Sequence, residues 1–151
     1  LDRPRHIEIV KILDDLNINK KPITDGDVNG ALLVTDEKYN VDMFIGIGGG
    51  PEGVIAASAL DAHNCFFQGR FLFNEENDIK RAREMGIKDL YKKYEINEIV
   101  SGDSIFVATG ITDGDITKGI KVRDNKYVSE TFVTHKSTNI KELRVKELEI
   151  L

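Results

Sequence analysis

The segment from residue 41 to residue 60 constrains the fold more than any other part of this sequence. Residues 41–47 (VDMFIGI) form a short apolar run bounded by turn residues, which predicts a buried strand. Residues 48–53 (GGGPEG), which we call the glycine loop, come next, and residues 54–60 (VIAASAL) continue as an apolar helical stretch. Pro51 suits the first position of a helix, so the segment predicts a strand, a loop and a helix in succession. This order indicates an α/β fold.

The rest of the chain alternates helical and strand-like patterns. Apolar residues in segment 6–16 recur at helical spacing and predict an amphipathic helix, with one face formed by Ile9, Ile12, Leu13 and Leu16. We further predict helices at 29–34, 75–85 and 97–100, the first of them short. Strands are predicted at 65–73 and 104–109, and another ends at residues 22–24. From residue 120 we predict a terminal antiparallel meander with a turn at Asp124 and Asn125. We therefore expect one layered α/β/α domain over residues 1–151, with its sites at the carboxyl ends of strands.

The composition excludes several classes of protein. With 40% hydrophobic and 31% charged residues over 151 positions, the chain resembles a single globular domain rather than a disordered or fibrous protein. Lysine and arginine total 21 against 26 aspartates and glutamates, and the net charge of −5 argues against nucleic acid or an anionic membrane as a partner. The single cysteine, Cys65, excludes a disulfide framework, and no apolar stretch approaches the roughly 18 residues of a membrane span. We expect a cytoplasmic protein that acts on a small metabolite, with no membrane or nucleic-acid partner.

The glycine loop has the character of an anion site. Consecutive glycines let backbone N–H groups approach a ligand, and a helix N-terminus attracts negative charge, as in a phosphate or sugar-phosphate cradle. Gly48, Gly50 and Gly53 also satisfy the G-x-G-x-x-G pattern of dinucleotide sites, although Pro51 removes a donor and Glu52 would repel a pyrophosphate. Glu52 either ligates a divalent cation beside a phosphate or only complements the helix dipole, and the residue types leave both roles open.

An Asp-Gly-Asp turn occurs twice in the chain. Residues 24–28 (TDGDV) return as residues 112–116 (TDGDI), each time after an apolar stretch. Two carboxylates two residues apart can accept hydrogen bonds from sugar hydroxyls or ligate Mg²⁺ or Mn²⁺, whereas the structural alternative is an ordinary Asx turn. The repetition favours a functional role for at least one copy.

A cationic segment lies at the start of the chain. Arg3 and Arg5 flank Pro4, which stiffens the backbone, so two guanidinium groups can be directed at one phosphate. The alternative is a solvated basic segment. The three histidines are far apart in sequence and show no metal-ligand spacing, so we assign no role to His6, His63 and His135.

In combination these motifs resemble one family. Segments 3–6 (RPRH), 24–28 (TDGDV), 45–54 (IGIGGGPEGV), 68–70 (QGR) and 108–115 (ATGITDGD) stand in the order and spacing of class II fructose-1,6-bisphosphatase, the GlpX type. The resemblance runs from Arg3 to about Lys136 and covers the C-terminal half of a family enzyme. It implies that the N-terminal half is absent from this chain.

The resemblance implies an activity and a fold. Family members hydrolyse the 1-phosphate of fructose 1,6-bisphosphate with Mn²⁺ or Mg²⁺, in gluconeogenesis, on a layered α/β/α sandwich of the lithium-sensitive sugar-phosphatase type. Sedoheptulose 1,7-bisphosphate is the alternative substrate, alone or as a second one. We expect the full-length enzyme to be a homo-oligomer, either a dimer or a tetramer. Outside the enzyme class, the alternative is a non-catalytic nucleotide- or sugar-phosphate-binding module built on the glycine loop.

The resemblance also implies roles for individual residues. One group matches the family's substrate contacts, with the basic pair on the distal phosphate and the Asp-Gly-Asp turn on the sugar: Arg3, Pro4, Arg5, Asp25, Gly26, Asp27 and Gly49. Glu52 matches a metal ligand. The other metal ligands and the residue that positions the attacking water belong to the N-terminal half, so we expect no catalytic residue in this chain and no activity from it alone. Gly50 stands where alanine is common in the family, and Asp113 and Asp115 receive no definite role.

Overall fold

The computed structural model describes residues 2–24 and 26–150, and these described residues form a mixed α/β structure. The α-helices are α1 (Ile7–Asp15), α2 (Asp27–Leu32), α3 (Gly50–Asp61), α4 (Glu76–Glu84) and α5 (Ile96–Ile99), and 3-10 turns cover Pro4–His6, Leu33–Thr35 and Glu37–Tyr39. The strands are β1 (Gln68–Gly69), β2 (Tyr94–Glu95), β3 (Ile105–Thr109), β4 (Lys121–Arg123), β5 (Lys126–His135) and β6 (Ile140–Glu149). None of the described helices is both long and apolar enough to cross a membrane.

The helices form where local chemistry predicts them. Two acidic residues in the first turn of α4 and two arginines in its last turn complement the helix dipole. Gly86 follows the C-cap of α4 and ends this helix with a φ of 89°, a left-handed conformation that favours glycine. The helix α5 begins with a reciprocal capping box between Glu95 and Glu98. The predicted helices at 6–16, 29–34, 75–85 and 97–100 are therefore confirmed, with small shifts in their ends.

The long strand β5 is the centre of a four-stranded antiparallel sheet. It pairs with β6 along its whole length, and with β3 and β4 over separate parts of its other edge. Asp124 and Asn125 join β4 to β5 with φ values of 48° and 58°, the geometry of a two-residue hairpin turn. The predicted terminal meander and its turn are confirmed. The short strands β1 and β2 form a separate antiparallel pair.

The core lies between one face of this sheet and the helices α2 and α3. Leu32 from α2, Leu60 from α3 and Phe106 from β3 are buried members of one apolar cluster. Thr134, which pairs with Phe106 across the sheet, is fully buried and donates its hydroxyl to the carbonyl of Ala59 at 3.3 Å. The helices α2 and α3 are thus fixed on a common core.

Three strand predictions were wrong. Residues 41–47 contain no strand among the described residues, and Met43 and Ile45 are 61% and 47% exposed. The described residues 22–24 form no strand either, and only Gln68–Gly69 does so within 65–73. An apolar run becomes a strand only when a neighbouring strand takes up its backbone hydrogen bonds. Consequently only the second Asp-Gly-Asp turn follows a strand, β3, and the expected placement of all sites at strand ends fails for the glycine loop.

Candidate functional site

The backbone of Ile47, immediately before the glycine loop, is held by two side chains from the start of the chain. Arg5 Nε donates to the Ile47 carbonyl oxygen at 2.6 Å, and the Ile47 N–H donates to His6 Nε2 at 2.8 Å. The 3-10 turn at Pro4–His6 begins with proline, whose fixed φ suits a helical start, and it presents these two adjacent side chains. Arg5 and His6, which lie 42 and 41 positions before Ile47 in the sequence, therefore both bind this one residue.

The two arginines of this segment occupy different positions. Arg5 reaches the residue before the glycine loop, as described, whereas Arg3 has an extended backbone and donates from Nη1 to the carbonyl of its neighbour Asp2 at 3.1 Å. Both side chains are exposed to solvent, where an anion can reach them. The structure therefore brings Arg5 to the loop and leaves Arg3 as an exposed cation two positions away.

The carboxylate of Asp27 lies against Gly48. A β-carbon built on Gly48 would lie 2.6 Å from Asp27 Oδ2, which is closer than van der Waals contact allows. The absence of a side chain at position 48 is what lets the carboxylate approach the loop backbone. Because Asp27 is the first residue of α2, the start of that helix faces the glycine loop.

The carboxylate of Glu52 folds back over the next glycine. A β-carbon on Gly49 would collide with Glu52 Oε2 unless that side chain moved, so the absence of a side chain at position 49 is what lets this carboxylate lie over the backbone. Gly49 is the N-cap of α3, and Pro51 and Glu52 both stand in the first turn of that helix. An acid there complements the helix dipole. Two carboxylates nevertheless line adjacent glycines, an arrangement that the dipole alone does not require.

The first Asp-Gly-Asp turn leads directly into α2. Asp25 lies outside the described residues, whereas Gly26 is the N-cap of α2 with a φ of 82°, a conformation that disfavours any side chain. A β-carbon on Gly30 would lie 2.5 Å from Ile23 Cδ1 and 2.8 Å from Phe44 Cε2. Glycine at position 30 therefore lets α2 pack tightly against Phe44, in the segment that leads to the loop, and this contact sets where Asp27 stands.

The second Asp-Gly-Asp turn uses the carboxylate of Asp113 to close its own loop. Asp113 Oδ1 accepts from the Gly119 N–H at 2.9 Å, and Asp113 Oδ2 pairs with Lys121 Nζ at 2.7 Å. The ion pair with Lys121 and the backbone hydrogen bond hold the pKa of Asp113 below its ordinary value. The carbonyl of Asp115 accepts from the Tyr39 hydroxyl at 3.3 Å. These bonds account for Asp113 as a structural residue.

Two other histidines lie in separate surroundings. His135 Nε2 is 2.9 Å from Asp103 Oδ2, which also accepts from the Ser137 hydroxyl at 2.8 Å, and both bonds lower the pKa of Asp103. His63 stacks on Phe132 with ring centroids 6.2 Å apart, and burial lowers its pKa. Both histidines thus contact residues outside the glycine loop.

The described residues do not complete a cation site by themselves. Among them, no group of three or more His, Cys, Asp or Glu side chains is placed to hold a metal ion. Asp27 and Glu52 do supply hard oxygen donors at adjacent glycines, and Mg²⁺ in proteins is commonly held by one or two carboxylates together with substrate phosphates. These two carboxylates could therefore supply one part of the ligand set of such a cation.

Comparison with known sequences places the chain in a family. The sequence model of the family described as bacterial fructose-1,6-bisphosphatase, glpX-encoded, matches residues 1–147. The chain belongs to this family. The resemblance found in the motifs is thereby confirmed.

Relatives at moderate identity carry a two-part name. The chain is 37% identical over 135 residues to the D-fructose 1,6-bisphosphatase class 2/sedoheptulose 1,7-bisphosphatase of Prochlorococcus marinus (strain AS9601), covering 80% of this chain and 40% of that protein. It is 34% identical over 146 residues to the protein of the same name from Synechococcus sp. (strain JA-3-3Ab), covering 88% of this chain and 42% of that protein. The GlpX-type chain thus spans about two fifths of the length of these curated relatives.

The structure brings most of the predicted site residues of this family member to one loop. Gly49 and Glu52 belong to the glycine loop, Asp27 lies against its Gly48, and Arg5 bonds to Ile47 just before it. Pro4 starts the turn that presents Arg5. Sequence reasoning missed His6, because its bond goes to a backbone N–H group and leaves no spacing pattern among side chains. The signal that was available was its place directly after the Arg-Pro-Arg segment.

Proposed function

We propose that this chain is part of a divalent-cation-dependent phosphatase that converts fructose 1,6-bisphosphate into fructose 6-phosphate and inorganic phosphate. The observation that carries the proposal is the meeting of one guanidinium and two carboxylates around the glycine loop: Arg5 at Ile47, Asp27 at Gly48 and Glu52 at Gly49. Cations for phosphates, acceptors for sugar hydroxyls and a hard ligand for a metal ion are the groups that a sugar bisphosphatase needs. Family membership and the names of the relatives support the same class.

The residues of this chain would bind and orient the substrate. We assign the distal phosphate to the guanidinium groups of Arg3 and Arg5, whose planar donors match phosphate oxygens. Asp27, with the turn at Asp25 and Gly26, accepts hydrogen bonds from the sugar, and the backbone at Gly49 lies against the reacting end. Binding energy gained at the far phosphate then serves to hold the near one in position for attack.

Glu52 is the residue we assign to Mn²⁺ or Mg²⁺. Such a cation, when bound, polarises phosphate oxygens and lowers the pKa of a coordinated water. The remaining ligands and the group that positions the water lie outside the described residues in this proposal. We therefore expect no phosphate release from the 151-residue chain by itself.

We further propose that the chain is the C-terminal part of a longer enzyme, whose remainder completes a layered α/β/α sandwich. The solvent-accessible surface is 11025 Å² for a mass of 16.9 kDa, whereas a globular monomer of this mass exposes about 7,700 Å². The excess of about 3,300 Å² has the size of a large permanent interface. Uncovered apolar side chains such as Ile12 on α1 and Leu16 at its C-cap, at 59% and 63% exposure, belong to this excess.

The test is phosphate release from fructose 1,6-bisphosphate by the full-length protein with Mn²⁺ or Mg²⁺. Glu52→Gln keeps the shape of the side chain and removes its charge, so we expect kcat to fall by at least about 100-fold, as for a lost charged ligand. Glu76→Gln is the matched control, because Glu76 also stands in the first turn of a helix, α4. Equal activity of the two variants would mean that Glu52 only complements the helix dipole. Full activity in the presence of a chelator would refute the cation dependence.

The names of the relatives make sedoheptulose 1,7-bisphosphate the second candidate substrate. The ratio of kcat/KM for the two bisphosphates, measured with the same full-length preparation, decides between them. The non-catalytic alternative predicts saturable NAD binding that is lost on substitution of Gly48, together with no phosphate release from either sugar. We also propose a homo-oligomer, a dimer or a tetramer, which light scattering of the full-length protein would test.

A further inference from the structure

His6 has a position that the assigned functions do not explain. Its side chain is buried, with the residue only 4% exposed, although it directly follows the exposed Arg5. Its ring nitrogen Nε2 accepts the Ile47 N–H at 2.8 Å. A neutral imidazole has one donor and one acceptor nitrogen, so an accepting Nε2 places the ring proton on Nδ1. The fold therefore selects one tautomer of His6.

The bond acts at the point where the glycine loop begins. Arg5 Nε holds the carbonyl of Ile47 at 2.6 Å while His6 holds its N–H group, so both polar groups of this residue are bound by neighbouring side chains. A β-carbon on Gly46 would lie 3.8 Å from His6 Nε2, so the ring also packs along the backbone just before Ile47. With both hydrogen bonds made, Ile47 has little freedom to rotate.

The position of Ile47 determines where the next two residues stand. Gly48 follows directly and receives the Asp27 carboxylate, and Gly49 receives that of Glu52. These contacts are close, because a single added carbon at either glycine would overlap the carboxylate unless the carboxylate moved. A small displacement of Ile47 would therefore change how both carboxylates meet the loop.

We propose that His6 is a positioning residue for the glycine loop: through the Ile47 N–H it holds the loop at the distance from Asp27 and Glu52 that substrate and cation binding require. This inference rests on the proposed function for its effect on activity. The hydrogen bond itself and the order it imposes on Ile47 can be measured without any activity.

Two amide variants of the full-length protein distinguish the hydrogen bond to Ile47 from the other contributions of the His6 side chain. In His6→Gln, Oε1 is three bonds from Cβ, as Nε2 is in histidine, so it can accept from Ile47. In His6→Asn, Oδ1 is only two bonds from Cβ and cannot reach. We expect amide exchange at Ile47 to be at least about tenfold faster in His6→Asn than in the wild type, and within about threefold of it in His6→Gln. Exchange at Val133 in β5 serves as the reference for global stability.

Activity should follow the same order. Because Arg3 and Arg5 remain, we expect His6→Asn to lower kcat roughly tenfold and to change KM less than about threefold, with His6→Gln restoring most of kcat. A loss of structure alone would instead accelerate exchange at Val133 and Ile47 together. If the wild type releases no phosphate from any sugar bisphosphate, the proposed function fails, and the exchange result still decides the role of His6 in ordering the loop.

A measurement on the wild type covers the case in which a variant does not fold. An N–H···N hydrogen bond transmits a scalar coupling between its two nitrogen nuclei, so the ¹⁵N spectrum should show coupling between Ile47 N and His6 Nε2, with the proton of the ring on Nδ1. A ring protonated on Nε2, or unchanged Ile47 exchange in a folded His6→Asn variant, would overturn the proposal.

Discussion

Gly48→Ala is the substitution that tests the packing of the glycine loop most directly. The added methyl group would lie 2.6 Å from Asp27 Oδ2, and ordinary contact begins at 3.4 Å, so the carboxylate must move by about 0.8 Å. Asp27 is the far end of a side chain and can move, so the protein should fold. No left-handed φ stands against alanine at position 48. The perturbation is therefore a displaced carboxylate rather than a broken core.

The expected effect is on activity rather than on stability. A misplacement of about 1 Å in a positioned group can cost about 100-fold in rate, so a shift of about 0.8 Å should lower kcat/KM by roughly ten- to 100-fold. The Tm should stay within about 3 °C of the wild type, because alanine also lowers the entropy of the unfolded chain.

Steady-state phosphate release by the full-length protein measures the loss, and two comparisons identify its cause. Gly50→Ala adds the same methyl group where nothing lies within 4 Å, so its kcat/KM should stay within about threefold of the wild type. If Gly48→Ala acts through Asp27, adding it to Asp27→Ala should cost nothing further. Fully additive losses, or equal losses in Gly48→Ala and Gly50→Ala, would refute the reasoning.

Three further predictions concern stability and are checked by thermal or denaturant unfolding of the full-length protein. Leu32→Ala, at a core position 2% exposed, should cost about 2–5 kcal/mol, and unchanged stability would contradict the burial of this side chain in the core. Gly86→Ala should cost about 1–2 kcal/mol because of its φ of 89°, whereas Gly102→Ala, with similar open space and no such φ, should be neutral. Asp113→Asn should lower the Tm at neutral pH, because it removes the ion pair with Lys121. The pKa of Asp113 is depressed below 3.8 in the folded state, so the higher Tm of the wild type should be lost as the pH falls through that depressed value. A difference in Tm that persists in strong acid would exclude the Lys121 pair as its cause.

Local features of the fold were predictable because their causes are close together in sequence. The helix α4 has its charges at the matching ends and a glycine just beyond, and the turn at Asp124 and Asn125 joins two alternating stretches. Both patterns depend on residues within a few positions of one another. The corresponding predictions were confirmed to within a few residues.

The failed strands show the limit of local patterns. The apolar run at residues 41–47 has the composition of a buried strand, but strand formation requires a partner backbone that no local pattern supplies. In the described residues, the backbone of Ile47 is bound instead by Arg5 and His6. Met43 and Ile45 remain exposed, which agrees with the proposal that further chain covers them.

The sequence by itself determined which residue types gather at the site and which family the chain belongs to. The Arg-Pro-Arg-His segment, the Asp-Gly-Asp turn and the Gly-Pro-Glu-Gly helix start can each be read directly, because their chemistry lies in side chains at short spacing. Only the tertiary structure decided that His6 and Arg5 hold Ile47, that Asp27 lies on Gly48, and that Asp113 closes its own loop. Most of these contacts join distant segments, and several of them end on backbone atoms, which are the same in every residue and therefore leave no trace in the order of side chains.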